Sequence, residues 1–250
     1  MTLHIGMAGW SIPARSAADA AGDGSHLARY ARALNAVEIN STFHRPHQPK
    51  TFDRWAASVP PAFRFAVKIP KAISHVARLR DCSRLIETFL GDVSNLGAKL
   101  GPLLLQLPPS FDFDAGGIDP MCQVLTETSR FRIACEPRHA SWFTPEADQW
   151  LEDRRIARVA ADPARHPGAG EPGGWRGLSY YRWHGSPRMY YSEYTPDDLA
   201  TLHDRIKRDP AEETWCIFDN TASGAAFPNA LALQREVAAA VSQRRTEEQG

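Results

Sequence analysis

Carboxylates, cations and amides recur at one kind of place in this 250-residue sequence: the ends of short apolar runs. Glu38 and Asn40 close one run, Lys68 the next and Gln106 a third. Glu136 with Arg138, Arg182 with His184, and Asp219-Asn220 close three more. Such a set can do acid–base work. Glu38, Lys68, Glu136 and His184 are the candidate catalytic groups. A lysine beside other cations has a lowered pKa, which suits a general base or a Schiff-base amine, and histidine exchanges protons near neutrality. Arg138 and Arg182 offer paired donors to a carboxylate or phosphate. Asn40, Gln106 and Asn220 would orient hydroxyls or an oxyanion, and the eighth run supplies either Asp219 or Asn220. Trp10, after Gly9, would wall the pocket. The ligand these groups suit is small, anionic and hydroxyl-rich.

Other chemistries use the same residues. Lys68, Arg138 and Arg182 could simply neutralise Glu38 and Glu136 in a buried salt-bridge lattice. A divalent metal on Glu38, Glu136, His184 and Asp219 would make the protein a phosphoester hydrolase acting on a nucleotide or nucleic acid. No HxH or HExxH accompanies those four, and the arginines compete for the carboxylates, so no cofactor is expected. A ligand-binding sensor or scaffold without turnover is the third reading. Ser11 has no adjacent His or Asp, which leaves a serine hydrolase without its parts. The run Lys68-Ile69-Pro70-Lys71 with His75, Arg78 and Arg80 reads as a solvated loop. The rival is a path for single-stranded nucleic acid with Trp10, Phe43 and Trp183 as stacking platforms.

Positioning such residues requires strands, because side chains two apart share a face. Runs at 4–9, 36–40, 64–68, 103–107, 132–136, 156–161, 179–184 and 214–218 predict eight strands. Parity then groups Glu38 with Asn40, Arg64 with Ala66 and Lys68, Glu136 with Arg138, and Tyr180 with Arg182 and His184. Helical periodicity predicts helices over 26–34, 51–58, 83–100 and 145–153. A capping box at Thr195-Pro196-Asp197-Asp198 opens another through 206, and the last covers 230–241. Eight strands alternating with helices predict an α/β, TIM-like (β/α)8 barrel, whose chemistry sits at the C-terminal strand ends. The Gly- and Pro-rich stretch 162–177 leaves the sixth helix missing or vestigial. No GxGxxG or P-loop supports a doubly wound sheet. One domain over 1–243 and a frayed charged tail at 244–250 complete the organisation.

Lys plus Arg (29) equals Asp plus Glu (29), so the net charge of zero speaks against a broad nucleic-acid footprint or an acidic-membrane surface. The expected partner is a small anionic molecule. Cys82, Cys122, Cys135 and Cys216 form no CxxC and read as buried, reduced thiols without disulfides. With no leader-like start and no long apolar run, the expected location is the cytoplasm.

The ordered motifs resemble one family. They are Gly6-Met7-Ala8-Gly9-Trp10-Ser11, Val37-Glu38-Ile39-Asn40-Ser41-Thr42-Phe43, Phe63-Arg64-Phe65-Ala66-Val67-Lys68 and Leu105-Gln106-Leu107-Pro108-Pro109. Glu136-Pro137-Arg138-His139, Tyr181-Arg182-Trp183-His184-Gly185 and Asp219-Asn220-Thr221 follow. The chain is similar to the YecE-like family (domain of unknown function seventy-two) across residues 5–233. The resemblance implies a TIM-barrel-like fold and no particular reaction. Where that family has Phe-Asn-Asn-Thr this chain has Phe218-Asp219-Asn220-Thr221, an added carboxylate. A short segment after Gly22 implies an opener pocket rim.

Overall fold

The computed structural model describes residues 2–116 and 131–247 of the chain. Runs of Ile, Val, Leu and aromatic residues form eight parallel strands, bounded where polar or turn residues end each run. They are β1 (Thr2–Met7), β2 (Ala36–Ile39), β3 (Arg64–Lys68), β4 (Leu100–Gln106) and β5 (Ile133–Glu136). β6 comes in two pieces, Ile156–Arg158 and Ala160–Asp162, and β7 (Leu178–Trp183) and β8 (Glu213–Phe218) follow. Pairing runs β2-β3-β4-β5-β6 through the first piece of β6, and β6-β7-β8-β1 through the second. A parallel bridge between Ala8 and Glu38 joins β1 to β2 and closes the cylinder.

That closing seam is unusual. Instead of a full ladder, two side chains carry the hydrogen bonds across it. The Tyr30 hydroxyl donates to the Ala36 carbonyl at 2.8 Å and accepts from the Met7 N–H at 3.0 Å. Asn35 accepts from the Ile5 N–H at 2.8 Å and donates to the Leu3 carbonyl at 2.9 Å. Tyr30 sits on the buried face of helix His26–Ala33, whose start is capped by Ser25. The helix therefore stitches the seam beneath the site.

Alternation divides each strand between two cores. Val37, Ile39, Phe65, Val67, Leu103, Leu105, Cys216 and Phe218 pack outward under the helices. Ala36, Ala66, Leu104, Ala134, Ala157, Tyr180, Trp215 and Ile217 fill the barrel. Small residues on β2, β3, β5 and β6 make room for the two large rings. Tyr180 stacks on Trp215 with centroids 6.0 Å apart, and Trp215 lies 4.6 Å from the His4 ring. This column of rings blocks the barrel and supports the layer above.

The longer helices that remain among the described residues are Pro49–Ala57, Ser83–Val93, Pro145–Asp153, Pro196–Arg208 and Ala226–Glu247. The capping box at Thr195 is formed as expected, with the Asp198 carboxylate accepting from the Thr195 N–H at 2.8 Å. Most boundaries shift by three residues or fewer, and two helices differ by more. The α-helix at Ser83 stops at Val93 rather than residue 100; the chain tightens into 3-10 turns over Ser94–Lys99, broken at Gly97 (φ 57°), before it enters β4. The last helix runs Ala226–Glu247 instead of 230–241, through most of the expected tail, and residues 248–250 lie outside the described residues.

No sixth helix forms between Asp162 and Leu178, as expected. Gly173–Gly174 pairs antiparallel with β6 instead. Arg158 anchors this loop, donating to both Asp148 carboxylate oxygens (2.7 and 3.1 Å) and to the Gly168 carbonyl at 2.9 Å. Cys82, Cys135 and Cys216 are buried and form no disulfide among the described residues, and Cys122 lies outside them. No helix among the described residues is long and apolar enough to cross a membrane.

Candidate functional site

At the C-terminal ends of the strands, above Tyr180 and Trp215, the inward positions turn from apolar to ionic. Arg182 of β7 lies at the centre, fully buried. Its Nε and Nη2 donate to the two Glu38 oxygens at 3.0 and 2.7 Å, a paired fork. Nη1 donates to Glu136 at 2.7 Å, and Nη2 also donates to Asp219 at 2.9 Å. One guanidinium thus binds three carboxylates. Tyr180, two residues before Arg182 on the same face, donates its hydroxyl to Glu38 at 2.8 Å. Gln106 donates to Glu136 at 2.9 Å and Arg138 does so at 3.2 Å.

His184 bridges two of these carboxylates. Nδ1 is 3.0 Å from Asp219 and Nε2 is 3.2 Å from Glu136. An ionised carboxylate only accepts, so satisfying both contacts requires both ring nitrogens to carry hydrogen, which is the imidazolium form. Burial and Arg182 oppose that charge, yet Glu136 and Asp219 raise the His184 pKa. Burial likewise opposes ionisation of Glu136, but Arg182, His184 and Arg138 hold its carboxyl well below the ordinary range. Asp219 is lowered too, with Arg182 and His184 outweighing burial.

The linkage has a definite sign. A raised histidine contributes stability that is complete below its unfolded value of about 6.5 and is lost as pH rises through the folded value. Depressed carboxylates contribute stability that is complete above about 4 and is lost as pH falls. The Tm advantage of the wild type over His184→Asn should therefore be largest between about pH 4.5 and 6.5 and shrink above neutrality. Thermal melts across pH 4–9 test this, and an advantage that is equal at pH 5.5 and 9 contradicts the imidazolium clamp.

Lys68 stands apart from this lattice. Its Nζ carries no hydrogen bond or ion pair to any described residue and lies 4.4 Å from the centroid of the Phe43 ring. Lys68, Gln106 and Asp219 keep 8, 7 and 8 % of their surface, whereas Glu38 and Arg182 keep none. Burial and then Arg182 lower the Lys68 pKa, against the three carboxylates. Asn40, partly exposed beside β2, has a buried side-chain oxygen with no partner. Phe43 also meets His75, with centroids 5.1 Å apart, and Tyr190 lies 5.7 Å from the His184 ring.

The expected cup of ionisable strand ends therefore forms, but its members differ in reach. Glu38, Lys68, Gln106, Glu136, Arg138, Arg182, His184 and Asp219 come together at one end of the barrel. Glu38 and Arg182 are sealed by their mutual fork, so neither of the expected proton-transfer and anion-anchoring groups presents an atom to the barrel mouth. Asn220 turns away from the axis. Its amide donates to the Ser192 carbonyl and the Asn229 side chain, both at 2.9 Å, which ties it to the loop at Ser192. Asp219 is the inward residue of that pair. Trp10 stands partly buried at the edge, against Trp55 with centroids 5.1 Å apart. Trp183 packs outward on Tyr194 and Phe218 and offers no stacking platform.

The conditional metal set fails on its donors. Glu38, Glu136 and Asp219 already serve Arg182, and both His184 nitrogens face carboxylates. Among the described residues no group of three or more His, Cys, Asp or Glu side chains is arranged to hold a metal ion. Two contributors had no role in the sequence reading. Tyr180 was legible from its parity with Arg182, whereas Tyr190 at φ 68° had no signal.

Relatives share this framework. The UPF0759 protein YecE of Escherichia coli K12 is 37% identical over 166 residues, a stretch covering 64% of this chain and 59% of that protein. A crystal structure of a DUF72 family protein from Enterococcus faecalis V583 superposes with a TM-score of 0.79 at 21% identity, covering 94% of each chain. A sugar phosphate isomerase/epimerase from Parabacteroides distasonis shares the fold alone, with a TM-score of 0.52, 10% identity and 93% and 94% coverage. The family model described as protein of unknown function DUF72 matches residues 4–250, and with the barrel and its motifs in agreement, this chain belongs to that family.

Proposed function

We propose that the chain binds a small, hydroxyl-rich anion across the barrel mouth and performs acid–base chemistry on it, with Lys68 as the group that meets the anion. The observation carrying this reading is the contrast in partners. Arg182 and Arg138 both bind carboxylates, while the Lys68 ammonium has no described hydrogen-bond or ion-pair partner. A cation held in a protected place with no carboxylate in hydrogen-bond contact favours an anion supplied from outside.

The roles follow from reach. Lys68 anchors the anion or, once deprotonated, takes a proton. Asn40 offers its unpartnered oxygen to a hydroxyl, and Gln106 and Arg138 border the ligand. Asp219, which keeps some surface, is the carboxylate that faces the ligand, and the His184 imidazolium behind it supplies the proton that the pair shares. Glu136 holds His184, and Arg182 with Glu38 fixes the layer beneath. A recess between Glu136, Arg138 and His184 measures about 20 Å³, room for one water, so the ligand lies over the mouth rather than inside the lattice.

A thermal-shift panel of sugar acids and sugar phosphates against wild type and Lys68→Met tests the proposal. A ligand at a hundredfold its Kd stabilises by about 2.7 kcal/mol, or roughly 5–11 °C for a domain of this size. Lys68→Met should abolish that shift without lowering the melting temperature of the free protein. A ligand that stabilises both proteins equally removes Lys68 from the site. Stabilisation with no product over a broad pH range would instead identify a sensor.

A further inference from the structure

Beside the mouth lies a separate apolar cleft of about 320 Å³, between helix Ser83–Val93 and the segment 42–47. That volume is within the range of small-molecule sites. Its floor is Phe52, Ile73 and Phe89, all buried, and its lip is Leu85, 48 % exposed on the helix. A leucine so placed gains by being covered.

The charge at the cleft is one-sided. Arg45 and Arg84 line it, with Asp92 the one acidic lining residue among the described residues. Neither guanidinium has a hydrogen bond or ion pair to a described residue. We infer that this cleft binds an apolar carboxylate: a hydrocarbon chain or ring against Phe52, Ile73 and Phe89, with its carboxylate at Arg45 and Arg84. A neutral hydrocarbon would leave both arginines unused, and a purely polar anion would leave the floor unused. The cleft is distinct from the mouth but shares a wall with it. Phe43 lines the cleft while its ring lies 4.4 Å from the Lys68 Nζ, so the occupant touches the ring against which Lys68 rests.

Calorimetric titration of the full chain with octanoate and with octanol tests the inference. Wild type should bind octanoate saturably at one site and about tenfold or more tighter than octanol. Leu85→Asp should weaken both probes at least about tenfold. Arg45→Ala/Arg84→Ala should bring octanoate down to the affinity of octanol and leave octanol unchanged. All three side chains are exposed, so the variants should melt as wild type does. Non-saturable octanoate binding overturns the inference. So does equal affinity for the two probes in wild type, or octanoate binding unchanged in either variant.

Discussion

Replacing Arg182 with methionine should destabilise the protein at pH 7 by about 3–5 kcal/mol and lower its melting temperature by roughly 6–20 °C. The substitution leaves the barrel nearly as full but strips Glu38, Glu136 and Asp219 of four hydrogen bonds at once. Glu38 would keep only the Tyr180 hydroxyl, and His184 would be the remaining cation shared by Glu136 and Asp219. The cost arises from stranded carboxylates rather than from the lost contact energy. Protonation of those carboxylates relieves it, so the deficit should be smaller at pH 5 than at pH 8. Arg182→Lys should fall between: it retains the charge but cannot reproduce the fork on Glu38. Melts of the three proteins at both pH values decide the matter. A deficit below about 2 °C, or one independent of pH, would mean that Arg182 is not the neutralising centre.

Period-two alternation made much of this layer legible. It placed Glu38, Lys68, Glu136, Arg182 and His184 on inward faces, because a strand residue and its second neighbour must share a side. Partners are another matter. Arg182 takes hydrogen-bond acceptors from β2, β5 and the end of β8, the first of them 144 residues away from it, and alternation says nothing about which side chains meet across a barrel. The ambiguity at Asp219 and Asn220 had a local cause. β8 ends at Phe218, so strand alternation stops being a rule just where it was needed. Trp183 shows the opposite failure. Parity already turned it outward, and only its residue type suggested a stacking role. Tyr30 falls inside the helix that periodicity predicts over 26–34, but nothing in the spacing told that its hydroxyl bridges two strands.

The bridge at Tyr30 makes a second substitution severe. Gly6→Ala should cost about 4 kcal/mol, from overpacking plus stranded polar groups, and lower the melting temperature by roughly 8–16 °C. A Cβ on Gly6 would stand 2.1 Å from the Ala36 carbonyl oxygen and 2.6 Å from its carbon, with the Tyr30 hydroxyl at 3.2 Å. The obstacle is backbone, so no rotamer change relieves it. β1 and β2 must separate, which breaks the Tyr30 bridge and leaves the Met7 N–H and the Ala36 carbonyl buried without partners. The disturbance travels upward along β2. The Glu38 carbonyl receives the Gly9 N–H at 2.9 Å, so a wider seam draws the Glu38 carboxylate off the Arg182 fork. Gly91→Ala is the matched control. That helical glycine has nothing within 4 Å of an added Cβ, so the same methyl should stabilise by about 0.5–1 kcal/mol through helix propensity. Melting curves of both variants, with hydrogen exchange at the Met7 amide, provide the readout. Unchanged stability and exchange in Gly6→Ala would show that the seam yields without strain and that the Glu38 carboxylate keeps its place independently of it.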